Sequence, residues 1–273
     1  MPDLDVFLTA CPRTPQRLGY ALSTLASWVA AKRAGWIGAG RLCVDDLGGM
    51  GAVVLRDVAG RVGLANIVDE WTEHADADAG AWQRERHANA AARADTDWYI
   101  AADDDCVAHR TLLVRGDREP EVPWTWEACA ALDGTPDLAM VAPTPMPDTV
   151  STLTLAGFLE RVTGEPDAAR LAALLRLPHE REKVWRVTTV GGIRIVRGGT
   201  IPEDVDALPP LDPARGGGYD VTLGQWLRDK VPAGGERCGY LTRVGLTHLG
   251  YDASVAYPDG PGPDPWLRTG RTS

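Results

Sequence analysis

One stretch constrains this chain's fold more than any other. Trp98-Tyr99-Ile100-Ala101-Ala102, short and apolar, runs straight into Asp103-Asp104-Asp105. An apolar run of that length bounded by polar residues reads as a buried strand. Three carboxylates at its end raise one another's proton affinity, so something must neutralise them. A divalent cation does this, and hard oxygen ligands suit Mg²⁺ or Mn²⁺. In an extended segment Asp103 and Asp105 share one side while Asp104 faces the other. One pair is then free for a metal and the diphosphate it carries, and the third for a ribose or a backbone amide. The plain alternative is a solvated turn or a helix cap.

The residues before this stretch repeat the pattern. Val6-Phe7-Leu8-Thr9-Ala10 is apolar, Cys11-Pro12-Arg13 breaks it, and Thr14 with Pro15 is a helix start. Leu18, Leu22, Leu25 and Val29 follow at helical spacing, with Gly35 as the stop. Arg41 to Val44 predicts a second strand running into Asp45-Asp46, and Asn66 to Val68 a third. Trp82 to Ala94 predicts a helix feeding the Asp-terminated strand. Strands alternating with helices imply an α/β fold with a mostly parallel, Rossmann-type sheet flanked by helices. Right-handed crossovers bring Thr9 to Arg13, Asp45-Asp46 and Asp103 to Asp105 to one sheet edge, where open α/β sheets bind ligands.

The second half changes character. Helical patterns cover 151–162 and 167–177, and a β-like run from Trp185 to Val196 is split by Gly191-Gly192. Pro202 to Gly218 reads as a loop that is mobile or acceptor-facing. An amphipathic helix carries Val221, Leu223, Trp226 and Leu227, and Tyr240 to Leu246 predicts a strand ending near His248. Trp124 and Trp126 would share a face of an extended segment and stack on a sugar or pack in the core.

Composition removes several classes of function. A net charge of −10 argues against coating a nucleic-acid backbone. No apolar run approaches the roughly 20 residues of a membrane span, and Met-Pro-Asp-Leu-Asp does not look like a secretory signal. The cysteines Cys11, Cys43, Cys106, Cys129 and Cys238 are odd in number with no CxxC pair, which fits reduced thiols in a cytoplasm.

The order of "DWYIAADDDC", "VTTVGGIRIV", "GGGYDVTLGQWLRDK" and "VGLTHLGY" resembles GT-A-fold glycosyltransferases, especially the family-two type. The resemblance spans about residues 4 to 251. It implies a nucleotide-sugar-binding half over 1–115, a smaller acceptor-binding, catalytic half over 116–257, and an irregular tail over 258–273. It implies a DxD motif at Asp103 to Asp105, with Asp103 and Asp104 contacting the nucleotide. Asp103 and Asp105 would hold Mn²⁺ or Mg²⁺, and His248 would join them as a metal ligand. Asp45 and Asp46 would lie beside base and ribose, with Thr9, Arg13 and Arg86 as further nucleotide contacts. Arg84 stands beside Arg86 as a candidate, and the basic residues Arg181, Lys183, Arg186, Arg194 and Arg197 would meet an anionic acceptor or solvent.

Glycosyl transfer to a hydroxyl needs a base for the departing proton. The resemblance puts Asp220 in that role, although Asp220 also reads as the N-cap of its helix. The sequence departs from the family where its usual Glu-Asp pair reads Tyr219-Asp220 and where Arg86 and Asn89 are separated by His87 and Ala88. The implied function is metal-dependent transfer from a nucleoside-diphosphate sugar, UDP-linked first and GDP-linked second, with inversion favoured. The acceptor could be a small molecule, a glycan, a peptide or a modified nucleobase. One alternative is a nucleotidyltransferase acting on a sugar phosphate, whose glycine-rich basic loop "TACPRTPQR" does not supply. The other is a non-catalytic nucleotide-sugar-binding module.

Overall fold

The computed structural model of the chain describes residues 2–48, 52–74, 79–112, 122–147, 184–211, 219–231 and 235–249. The helical patterns over 151–162 and 167–177 and the tail after 257 lie outside them. The elements in chain order are β1 (Asp5–Ala10), α1 (Pro15–Arg33), β2 (Leu42–Asp46), α2 (Ala52–Arg61), β3 (Glu70–Glu73), α3 (Ala79–Arg93) and β4 (Trp98–Asp103). They continue with β5 (Cys106–Leu112), α4 (Trp124–Gly134), β6 (Met140–Pro147), β7 (Val184–Val187), β8 (Ile193–Arg197), α5 (Tyr219–Asp229) and β9 (Cys238–His248).

The described strands form one mixed sheet in the order β3-β2-β1-β4-β8-β6-β9-β5, with β7 paired to β9. The half from β3 to β4 is parallel throughout. Beyond it β8 runs antiparallel to β4 and to β6. Strand order reverses at β1, whose two neighbours are β2 and β4. A right-handed return from β3 to β4 must then cross the face opposite α1. That reversal opens a crevice at the carboxyl ends of β1 and β4.

The period of two along each strand sorts residues between the faces. Val6, Leu8, Leu42, Val44, Ile100, Ile193 and Ile195 pack with Leu25, Trp28, Trp124 and Leu132 of α1 and α4. Phe7, Cys43, Tyr99 and Val196 pack with Ala88, Leu223 and Leu227 of α3 and α5. Thr9, Asp45, Asp103 and Arg194 continue the second set, so their side chains belong to the α3/α5 face. Asp46 continues the first.

Helix α1 begins as its sequence demands. Thr14 accepts a hydrogen bond from the Arg17 N–H, Pro15 is the first helical residue, and Gly35 ends the segment at φ 77°. Three expectations need correction. The third strand is Glu70–Glu73, not Asn66 to Val68, because Ala65–Ile67 forms a 3₁₀ turn and Asp69 accepts the Leu42 N–H. Trp124 and Trp126 open α4 after Pro123 and do not form an extended pair. Trp124 is fully buried, and Trp126 donates to the Trp36 carbonyl, so neither offers a stacking platform. Within 202–211 the expected open loop is anchored by buried Leu208 and by a turn capped at Asp204. No described helix is long and apolar enough to cross a membrane.

Gly224 fixes how closely α5 approaches the sheet. A Cβ there would lie 2.1 Å from the Thr188 carbonyl oxygen, whereas one at Gly60 in α2 would meet nothing within 4 Å. Gly224→Ala should therefore destabilise the protein by about 1–3 kcal/mol through overpacking. Gly60→Ala should stabilise it by about 0.5–1 kcal/mol through helix propensity. Denaturant midpoints of the two variants against the parent check the opposite signs.

Candidate active site

Strand register lines up three polar side chains at the crevice. Thr9 lies opposite Asp45 on one side and opposite Asp103 on the other. Asp45 is buried and fully engaged, accepting from Arg93 at 2.7 Å, Asn89 at 3.4 Å and the His74 ring at 3.3 Å. His74 in turn stacks against Trp82 with ring centroids 4.1 Å apart. Arg13 is exposed in the loop after β1.

Asp46 points to the opposite face, away from this row. It is fully buried, its Oδ1 accepts the Gly48 N–H at 3.1 Å, and its Oδ2 has no hydrogen-bond partner among the described residues. Burial pushes its carboxyl up to about 6.

The three consecutive aspartates do not behave as an extended segment. Asp104 and Asp105 form the turn between β4 and β5, and both face Arg17 of α1. Arg17 pairs with Asp104 and donates to Asp105 at 2.8 Å. The Cys11 N–H donates to Asp104 at 2.7 Å, and the Thr24 hydroxyl to its carbonyl at 3.0 Å. Burial raises the Asp104 carboxyl above the usual carboxylate range, and Arg17 opposes that rise. The alternation that would separate Asp104 from Asp105 fails because a turn, not a strand, holds them.

Asp103 joins a second cluster. Arg86 of α3 pairs with Asp103 and reaches Asp220 at 3.3 Å. Arg194 of β8 donates to Asp220 at 2.6 Å and lies 3.7 Å from Asp103. His87 stands 3.8 Å from Asp220, beyond hydrogen-bond reach. Burial drives its imidazole down to about 3, so it is neutral. Asp220 is the second residue of α5, and its carboxylate goes to arginines rather than to a capping bond. Burial works to raise Asp220, but the Arg194 and Arg86 guanidiniums hold it well below the ordinary range.

Register also brings His248 to this edge. It lies opposite Cys106, and the next residue, Leu249, donates its N–H to the Asp105 carbonyl at 2.6 Å. Among the described side chains no three His, Cys, Asp or Glu residues group as metal ligands. By register Asp103 and His248 share this edge with Asp105, and carboxylate oxygens are the donors that suit Mg²⁺ or Mn²⁺. As placed, arginines supply the countercharge, with Arg17 on Asp105 Oδ2 and Arg86 on Asp103.

The fold bears comparison with solved structures. S. aureus TarS 1-349 superposes with a TM-score of 0.50 at 10% identity, covering 90% of this chain and 61% of that one. GalNAc-T7 with UDP, GalNAc and Mn²⁺ superposes with a TM-score of 0.52 at 11% identity, covering 91% and 44%. The fold is GT-A-like. A CMP:2-keto-3-deoxy-manno-octonic acid synthetase with CTP reaches 0.43 at 14% identity, covering 88% and 89%, too weak a likeness to bear on either reading. The chain thus spans 61% and 44% of the first two structures. No protein-family model matches the chain, and no curated protein matches it in sequence.

Sequence reasoning missed Arg17 as a member of the site, gave Arg194 to an anionic acceptor or to solvent rather than to Asp220, and gave His74 and His87 no role. Arg17 shares a buried helix stripe with Ala21, Thr24, Leu25 and Trp28, a signal visible in the spacing. Arg194 interrupts the apolar run Ile193 to Val196, where a charge must be paired.

Asp46 offers a test of site electrostatics. Its folded pKa, about 6, lies above the ordinary 3.8. Its ionisation therefore costs stability as pH rises through that interval, and the full cost is present above about 6. Asp46→Asn should raise unfolding stability by about 1–3 kcal/mol at pH 7.5, with the gain fading towards pH 4. Urea melts at both pH values check this, and a pH-independent gain contradicts it.

Proposed function

We propose that the chain transfers a sugar from a nucleoside-diphosphate sugar to an acceptor hydroxyl. The observation that carries this reading is Arg86, set between Asp103 of the parallel half and Asp220 of α5, at the strand-order reversal of a GT-A-like fold. GalNAc-T7 holds UDP, GalNAc and Mn²⁺ on a similar fold. In this reading residues 1–115 bind the donor, 116–257 the acceptor, and 258–273 form a tail. UDP is the first choice of nucleotide and GDP the second. Thr9, Asp45 and Asp103 line the nucleoside side, with Arg13 and Asp104 as outer members; Asp46, buried on the opposite face, has no part in it. The diphosphate meets Arg86.

Asp220 takes the acceptor proton. A carboxylate held ionised by two arginines is always deprotonated but is a weak base. An incoming diphosphate competes for Arg86, which loosens its hold on Asp220 and strengthens the base. The resemblance supplies one base and no enzyme nucleophile, which favours a single, inverting displacement.

Asp103, Asp105 and His248 would hold Mn²⁺ or Mg²⁺ in this proposal. The ion would supply countercharge to the departing diphosphate. Arg17 occupies Asp105 in its place, so it should oppose metal entry. Arg17→Met should bind Mn²⁺ at least about 10-fold more tightly than the parent in nucleotide-free calorimetry. Unchanged affinity would separate Arg17 from the metal site.

Calorimetry with UDP and GDP, in Mn²⁺ and in EDTA, tests the donor side. Tight binding of one nucleotide supports the reading, and binding of neither removes it. Equal affinity in EDTA removes the metal alone. Asp220→Asn should keep nucleotide affinity and reduce turnover by about 10²-fold or more. Parent-like turnover would take Asp220 out of the reaction.

A further inference from the structure

Arg194 is 1% exposed and sits mid-strand, opposite Ala101 of β4. A guanidinium that deep is costly unless its donors are paired. Its Nη1 donates to Asp220 Oδ1 at 2.6 Å and to the Val190 carbonyl at 3.2 Å. Its Nε and Nη2 have no hydrogen-bond partner among the described residues. The cost is therefore only partly offset, and of its two acidic partners among the described residues Asp220, at 2.6 Å, is closer than Asp103, at 3.7 Å.

The two oxygens of Asp220 are treated differently. Arg194 and Arg86 both reach Oδ1, at 2.6 Å and 3.3 Å. Oδ2 faces Gly191, where an added Cβ would lie 3.4 Å away. The glycine's own position is held, because its N–H donates to the Tyr240 hydroxyl at 3.2 Å. The Thr189 hydroxyl donates to the Asp220 carbonyl at 2.7 Å, which ties the start of α5 to the same connection.

We propose that Arg194 is a positioning residue: by anchoring Oδ1 of Asp220 it aims Oδ2 across the bare backbone of Gly191 at the hydroxyl to be glycosylated. This rests on the reading of Asp220 as the proton acceptor. In the step, the hydroxyl proton passes to Oδ2 and the hydroxyl oxygen bonds to the anomeric carbon. The bond from that carbon to the diphosphate oxygen breaks, and its electron pair leaves with the nucleoside diphosphate. Gly191 keeps the space over Oδ2 clear, so any side chain there stands where the nucleophile must come.

Donor hydrolysis, with water as the nucleophile, tests this without knowledge of the natural acceptor. UDP-glucose, UDP-N-acetylglucosamine, UDP-galactose and GDP-mannose are the probes, and the best substrate of the parent is used throughout. Arg194→Lys keeps the charge but loses the fixed fork that orients Oδ1. It should lower kcat about 10-fold or more while KM and the UDP or GDP Kd stay within about 2-fold. Gly191→Ala adds a methyl that the backbone tolerates, and should give the same split. Thermal melts confirm that both variants fold. Parent-like kcat in either folded variant overturns the proposal. A loss of nucleotide affinity equal to the loss of kcat also overturns it, since that marks a donor contact or a damaged site. A parent that binds neither nucleotide and hydrolyses no donor overturns the glycosyl-transfer reading, and this inference with it, before any variant is made.

Discussion

Arginine–carboxylate pairing at the carboxyl edge of the sheet is the interaction on which the rest of this site depends. Asp103, Asp104, Asp105 and Asp220 crowd a small region with little access to water. Unpaired, each would protonate or expel its neighbours. Arg17 covers Asp104 and Asp105 from α1, while Arg86 and Arg194 cover Asp103 and Asp220 from α3 and β8. The pairs also do structural work. They lock the β4–β5 turn under the first helix, and they tie α5, late in the chain, to a strand and a helix from its first half.

The backbone makes this pairing possible through two simple periodicities. Alternation along β1, β2 and β4 sends Thr9, Asp45 and Asp103 to the face that α3 crosses, and α3 carries Arg86, Asn89 and Arg93 on the side that meets them. The reversal of strand order at β1 puts α3 on that face at all. One charge arrives from an unexpected direction: β8, antiparallel to β4, places Arg194 opposite Ala101, 3.7 Å from Asp103 and 2.6 Å from Asp220. Arg86, shared between Asp103 and Asp220, holds the two acidic groups in fixed relation, as the proposed transfer would require of its donor and acceptor ends.

Much of the parallel half was legible in the sequence. Thr14-Pro15, the apolar runs and their acidic ends specify local structure that needs no distant partner to form. The errors have a common physical origin in long-range packing. Asn66 to Val68 has strand-like composition, yet the Asp69 bond to Leu42 places the strand later. Trp124 and Trp126 look extended until Pro123 starts a helix on them. Asp104 and Asp105 were read by strand alternation, but Arg17, 87 and 88 residues away in sequence, pulls both towards α1. Buried arginines are the hardest members of a site to foresee, because their worth depends on partners that only the fold supplies.

A nucleotide sugar, in the function proposed for this chain, binds at the arginine-neutralised edge. A crystal structure of the chain with a non-hydrolysable UDP-sugar analogue tests it most directly. The account predicts the nucleoside along Thr9, Asp45 and Asp103, with the diphosphate against Arg86 and the sugar facing Asp220. A nucleotide bound elsewhere on the molecule, with the pairs of Arg86 to Asp103 and Asp220 undisturbed, would contradict it.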